Sequence, residues 1–139
     1  HFFFADNNRW YGFDDGIYAA ARLLEIVAGD VEERSVAELF EALPTSVSTP
    51  ELRLPMEEGA PARFIEAFRS SATFDDARIT TIDGIRVDWP DGWGLVRASN
   101  TSPALMFRFD ADTAKALDRV KQAFRQRLLA VDRSLALPF

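Results

Sequence analysis

Residues 78–109 leave this chain little choice of architecture. Asp83-Gly84 has the turn chemistry that joins adjacent antiparallel strands, and it separates two β-rich stretches, 78–82 and 85–89. Pro90-Asp91-Gly92 makes a second turn before residues 93–97. A polar loop then leads to residues 105–109, where Leu105, Phe107 and Phe109 fall on one face. Upstream, Leu52, Leu54 and Met56 alternate as in a strand, and Pro61 suits the first turn of a helix carrying Phe64, Ile65 and Phe68 inward. Residues 113–131 set Leu117, Val120, Phe124, Leu128 and Val131 along one helical stripe. The order β-α-β-β-β-β-α over residues 51–139 predicts an α+β layer, an antiparallel sheet with helices packed on one face.

The first fifty residues follow a different rule. Ile17, Ala20, Ala21, Leu24 and Val27 repeat at helical spacing, so residues 17–28 read as a helix with one buried face, stopped at Gly29. Asp14 and Asp15 stand where negative charge meets a helix N-terminus favourably. Ser35-Val36-Ala37-Glu38 is a capping box opening a short helix over residues 36–43, which Pro44 ends. Residues 44–50 hold two prolines and four hydroxyl residues, the composition of a linker. The expected division is therefore 1–43, a hinge linker at 44–50, and a domain at 51–139. His1-Phe2-Phe3-Phe4 reads as a buried strand already under way, with no initiator Met and no basic segment leading into an apolar signal core. The expectation is that further residues precede it.

Composition narrows the function classes. A formal charge of −6 makes nucleic acid a poor partner, because phosphate-backbone binding needs a basic face. No apolar run approaches the roughly 18–20 residues that span a bilayer, so no membrane role is expected. With no cysteine there is neither a disulfide framework nor thiol chemistry, which fits a cytoplasmic protein. The one histidine is His1, so no serine–histidine hydrolase or histidine-rich metal site lies inside the chain. Asp14-Asp15 reads as a helix cap, and Glu57-Glu58 and Asp75-Asp76 as solvated loop charges; none has the spacing of a calcium loop or a magnesium cluster. Trp10, Tyr11, Trp89 and Trp93 suit either a core or a sugar platform.

One segment suits ligand chemistry. Arg97-Ala98-Ser99-Asn100-Thr101-Ser102-Pro103 joins two apolar strands, which puts its polar side chains at a sheet edge. Arginine offers a planar fork to two phosphate oxygens. Hydroxyls, the Asn amide and backbone N–H groups can satisfy the remaining lone pairs. No member is a general acid or base near neutral pH, so the loop suits holding an anion. The same residues also suit an ordinary inter-strand turn.

Three stretches carry a resemblance. Residues 9–18 (Arg9-Trp10-Tyr11-Gly12-Phe13-Asp14-Asp15-Gly16-Ile17-Tyr18), Thr81-Ile82-Asp83-Gly84-Ile85-Arg86-Val87, and Gly92-Trp93-Gly94-Leu95-Val96-Arg97-Ala98-Ser99-Asn100-Thr101 resemble the α-D-phosphohexomutases, nearest the bacterial phosphomannomutase/phosphoglucomutase branch. The likeness continues through residues 105–112 and covers essentially the whole chain. It implies a four-domain enzyme that interconverts hexose 1-phosphate and 6-phosphate, of mannose and glucose. A phosphoserine exchanges phosphate through a 1,6-bisphosphate intermediate, with magnesium bound by residues outside this chain. Residues 1–43 would then close the third, sugar-binding α/β domain, and residues 51–139 would be the fourth domain, of TATA-binding-protein-like topology. By the same resemblance Arg97, Ala98, Ser99, Asn100 and Thr101 clamp the phosphate that is not transferred, and His1 is the last residue of a sugar-binding loop. The implied partners are hexose phosphates and the missing N-terminal domains. The chain alone is expected to be inactive, and residues 51–139 to rotate about the linker. A phosphoglucosamine mutase and a free-standing anion-binding module are the alternatives.

Overall fold

The computed structural model describes residues 2–5 and 9–139, so the reading of His1 falls outside the described residues. The chain divides into two compact units, residues 1–44 and 45–139.

In the first unit, α1 (Gly16–Ala28) begins where Asp15 Oδ1 accepts the N–H of Tyr18 at 2.8 Å. In α2 (Val36–Glu41), Ser35 and Glu38 form both halves of the capping box. Both helices lie where periodicity and caps place them. The expected buried stripe of α1 is not buried: Ile17 is 85% and Leu24 67% exposed, because no second layer among the described residues of this unit covers them. Residues 2–4, read as a strand, join no ladder among the described residues; the Phe2 N–H donates instead to Asp14 Oδ1 at 3.2 Å. Aromatic packing gives the unit its local order instead. Trp10 stacks on Tyr18 at 4.1 Å and donates its indole N–H to the Phe13 carbonyl, while Phe4 meets Tyr18 edge-on. Trp10 and Tyr18 are thus occupied in packing, while Tyr11 is 92% exposed.

The second unit is an antiparallel α+β layer. Its elements are β1 (Val47–Ser48), β2 (Leu52–Pro55), α3 (Ala60–Ser71), β3 (Arg78–Thr80), β4 (Ile85–Trp89), β5 (Gly92–Ala98), β6 (Ala104–Ala111) and α4 (Ala114–Val131). Strands β6, β5, β4 and β3 are neighbours in that order, and β1 and β2 both pair along the outer edge of β6. Ile85 faces Val96, which faces Phe107, which faces Leu52. Helices α3 and α4 pack on the face these residues present. There Phe68, Val87, Val96, Phe107, Phe109, Val120 and Phe124 are sealed from solvent. Each such side chain contributes about 1.5–3 kcal/mol relative to exposure. Phe139 extends the core from the C-terminal end, its ring 4.6 Å from that of Phe109.

Residues 44–50, read as a hinge linker, are in large part bound to the sheet. Val47 and Ser48 pair with Ala111 and Asp110, Thr49 N–H donates to the Phe109 carbonyl at 2.9 Å, and Thr49 Oγ1 accepts the N–H of Phe109. The division between the units falls at Pro44 and Thr45.

Candidate functional site

The loop between β5 and β6 is closed at its base by the Ser99 N–H donating to the Ala104 carbonyl at 2.9 Å. The Met56 N–H donates to the Pro103 carbonyl at the same distance and ties the loop to the end of β2. This framework crowds hydroxyls together. Ser99 Oγ lies 3.1 Å from Ser102 Oγ and 3.4 Å from Thr101 Oγ1, and it also accepts the Thr101 N–H at 3.4 Å. Asn100 projects from the exposed tip.

Facing the loop is the beginning of α3. No side chain caps this helix; its N-cap is Gly59, with φ of 72°, and a proline opens its first turn. A helix N-terminus carries a partial positive charge and free N–H groups, a setting that favours anions. Ala98 to Pro103 and the Glu58–Ala62 stretch together enclose a cavity of about 310 Å³. Gly59 and Ala62 are not signalled by the sequence, whereas Ser102 lies in the polar segment that is. Pro61 announced the helix start, but only the fold brings residues 58–62 against residues 98–103. Glu58 also lines the cavity, a carboxylate that opposes anion binding.

Arg97 takes a different position. Alternation along β5 turns its side chain to the sheet face opposite α3 and α4, and it does not line the 310 Å³ cavity. Its Nη1 lies 3.5 Å from Asp83 Oδ2, a contact in which Asp83 is 65% exposed. The arginine therefore flanks the loop from the open side, held by one long ionic contact of little intrinsic worth. The Asp83-Gly84 turn presses on it directly. A side chain at Gly84 would come within 2.2 Å of the Val96 carbonyl and 2.7 Å of Arg97 Cα, and Gly84 has φ of 83°. Only glycine fits there, so the hairpin turn sets where the base of Arg97 stands.

Away from the loop, hydroxyl and N–H donors from Ser35 and Ser134 hold Glu38 and Asp132 below the usual range. Among the described residues no three His, Cys, Asp or Glu side chains are grouped to hold a metal ion. No helix among them is long and apolar enough to cross a membrane. The site offers donors and charge for holding a ligand, with no group poised to move a proton.

The chain is similar to known proteins over most of its length. The family model described as phosphoglucomutase/phosphomannomutase, C-terminal domain, matches residues 51–127. A phosphomannomutase/phosphoglucomutase of Pseudomonas aeruginosa is 52% identical over 139 residues, all of this chain and 29% of that protein. A phosphoglucomutase of Neisseria gonorrhoeae is 48% identical over 127 residues, 90% of this chain and 26% of that protein. A phosphoglucomutase/phosphomannomutase family protein from Burkholderia thailandensis, known by crystal structure, superposes with a TM-score of 0.83 at 46% identity, covering 99% of this chain and 28% of that one. The chain thus spans under a third of the length of these relatives. Matched by the family model over more than half of its residues, it belongs to the phosphoglucomutase/phosphomannomutase family and contains that family's C-terminal domain.

Proposed function

We propose that the chain is the phosphate-holding part of a hexose-phosphate mutase that interconverts hexose 1-phosphate and 6-phosphate, of glucose and mannose. The names of its relatives support the class of reaction. The observation that carries the role is the convergence of Ser99, Thr101 and Ser102 hydroxyls on a loop flanked by Arg97. In this reading Arg97 exchanges its single contact with Asp83 for the forked contact to a phosphate at the loop. Ser99, Asn100 and Thr101 supply the remaining donors, and the Ala98 backbone orients them. The held phosphate is the one not being transferred. Transfer itself passes through a phosphoserine and a bisphosphate intermediate in the part of the enzyme beyond this chain. Magnesium belongs to that part too. His1 we assign to the sugar-binding loop, and the enzyme to the cytoplasm. The pivot for closing on substrate we place at Pro44–Thr45, since residues 46–49 are bonded to β6.

The test is Arg97→Ala in the full-length enzyme. Loss of two charge-assisted bonds predicts a fall in kcat/KM on the order of 10²-fold. Arg97→Lys restores only part of it, since a point charge cannot reproduce the fork. Unchanged kinetics in Arg97→Ala would reduce the loop to a turn. Residues 1–139 alone are expected to bind a sugar phosphate without turning it over.

A further inference from the structure

The sheet has a second face, which neither α3 nor α4 covers, and the register fixes what it displays. Across it run the rows Arg97–Met106–Arg53 and Thr80–Arg86–Leu95–Arg108, then Arg78–Asp88–Trp93–Asp110. Arg53, Arg78, Arg86, Arg97 and Arg108 outnumber Asp88, Asp110 and the nearby Asp83, in a chain whose net charge is −6. Such a local excess of one sign against the global charge sets up a directed field. The arginines are not equivalent. Arg86 is spent: it donates twice to Asp88 Oδ1, at 2.9 and 2.7 Å, and lies 4.0 Å over the Trp93 ring. Arg78 leans toward the same Asp88, and Arg97 toward Asp83. Arg53 and Arg108 are exposed and have no ionic or hydrogen-bonding partner among the described residues.

Those two share the sheet face of Arg97. Arg53 lies beyond Met106 in the row that begins with Arg97. Arg108 is the diagonal neighbour of Arg97, and diagonal neighbours on one sheet face stand about 7–8 Å apart. Arginine side chains starting there reach a common small ligand, and half-buried Met106 and Leu95 between them offer an apolar floor to a sugar ring.

We propose that Arg53 and Arg108 form a second anion station, which takes the other phosphate of a hexose bisphosphate whose first phosphate lies on residues 97–101. The proposal rests on the phosphate-loop reading above and extends it. A monophosphate fills the loop alone. A bisphosphate engages both stations, which retains it on this domain while neither end is attached to the rest of the enzyme.

The experiment titrates the isotope-labelled chain, at fixed ionic strength, with glucose 6-phosphate and with glucose 1,6-bisphosphate, reading backbone amides and arginine Nε–H signals. Both ligands should shift residues 97–101, and only the bisphosphate should shift Arg53 and Arg108. The double variant Arg53→Gln/Arg108→Gln should weaken the bisphosphate about tenfold and leave the monophosphate unchanged. Arg133→Gln, on the exposed C-terminal tail, should change neither. If the loop responds while Arg53 and Arg108 stay silent, or if Arg133→Gln matches the double variant, the second station is overturned and the phosphate loop stands. If neither ligand moves residues 97–101, the phosphate-loop reading itself falls, and the second station with it.

Discussion

Helices α1 and α4 obey the same sequence rule and meet different fates. Each has an apolar stripe at helical spacing and a side-chain N-cap, Asp15 for α1 and Thr113 for α4. Helix α4 buries Ala116, Leu117, Val120, Phe124 and Leu128 against a sheet made by its own unit. Helix α1 buries none of its residues, and Ile17, Leu24 and Ile26 remain more than half exposed. An amphipathic pattern specifies a face; stability comes from the surface that face meets. In residues 45–139 strands and helices supply each other's complement, and in residues 1–44 the complement is missing from the described residues.

The largest expected effect breaks or upholds this contrast outright. Phe124 is sealed among Phe68, Phe74 and Phe109, so Phe124→Ala should cost about 3–5 kcal/mol in global unfolding by denaturant. Leu24→Ala, at a position 67% exposed, should shift the same transition by less than about 0.5 kcal/mol. Residues 45–139 expressed alone should keep the cooperative transition, and residues 1–44 alone should show little helix. A Leu24→Ala cost comparable to that of Phe124→Ala would mean that the first unit carries a core of its own.

A second pair sharpens the comparison at the backbone. Gly12 and Gly84 share a left-handed conformation, with φ of 86° and 83°. Around Gly12 a new side chain would meet nothing within 4 Å, whereas at Gly84 it would strike Val96 and Arg97. Gly12→Ala should therefore cost only conformational strain, about 1–2 kcal/mol within its own unit. Gly84→Ala adds overpacking, for a total of about 2–5 kcal/mol. It should also weaken glucose 6-phosphate binding, because it displaces the strand that carries Arg97. Calorimetric titration of the folded variant separates the two effects, and unaltered affinity would detach the hairpin turn from the phosphate loop.

What was legible in the sequence tracks how local the cause is. Turn chemistry at Asp83-Gly84 and alternation on either side announced β3 to β6, and Ser35 and Glu38 announced α2, because those signals act within a few residues. Strand β1 was missed. Its two residues sit in a proline- and hydroxyl-rich stretch, and what makes them a strand is hydrogen bonding to β6 more than sixty residues on. Residues 2–4 are the opposite case, apolar enough for a strand but with no edge to pair with among the described residues. The loop at 97–103 was visible as chemistry. Its cavity was not, since part of the wall comes from residues 58–62. Arg53 and Arg108 look like ordinary surface charges until the register sets them beside Arg97.

The smallest expected effect compares one chemistry in both units, the hydroxyl cap. Thr113 Oγ1 accepts the Ala116 N–H at 3.1 Å and starts a helix locked into the core, so Thr113→Ala should lower global stability by about 1 kcal/mol. Ser35 Oγ accepts the Glu38 N–H at 3.3 Å, while the Glu38 carboxylate accepts from the Ser35 N–H and hydroxyl, both at 2.7 Å. Those two donors hold the Glu38 carboxyl below the usual glutamate range. A carboxyl lowered by folding contributes its full support above its unfolded value and loses it as pH falls through its folded one. Acidification below about pH 4 should therefore fray α2 while the core of residues 45–139 keeps its own transition. Ser35→Ala should fray α2 already at neutral pH and return the Glu38 titration toward the ordinary value, with no change in global stability. Carbon chemical shifts of residues 36–41 and the Glu38 carboxyl shift report both. If Ser35→Ala instead moves the global transition as far as Thr113→Ala does, α2 unfolds together with the sheet, and the contrast between the two units fails at this helix.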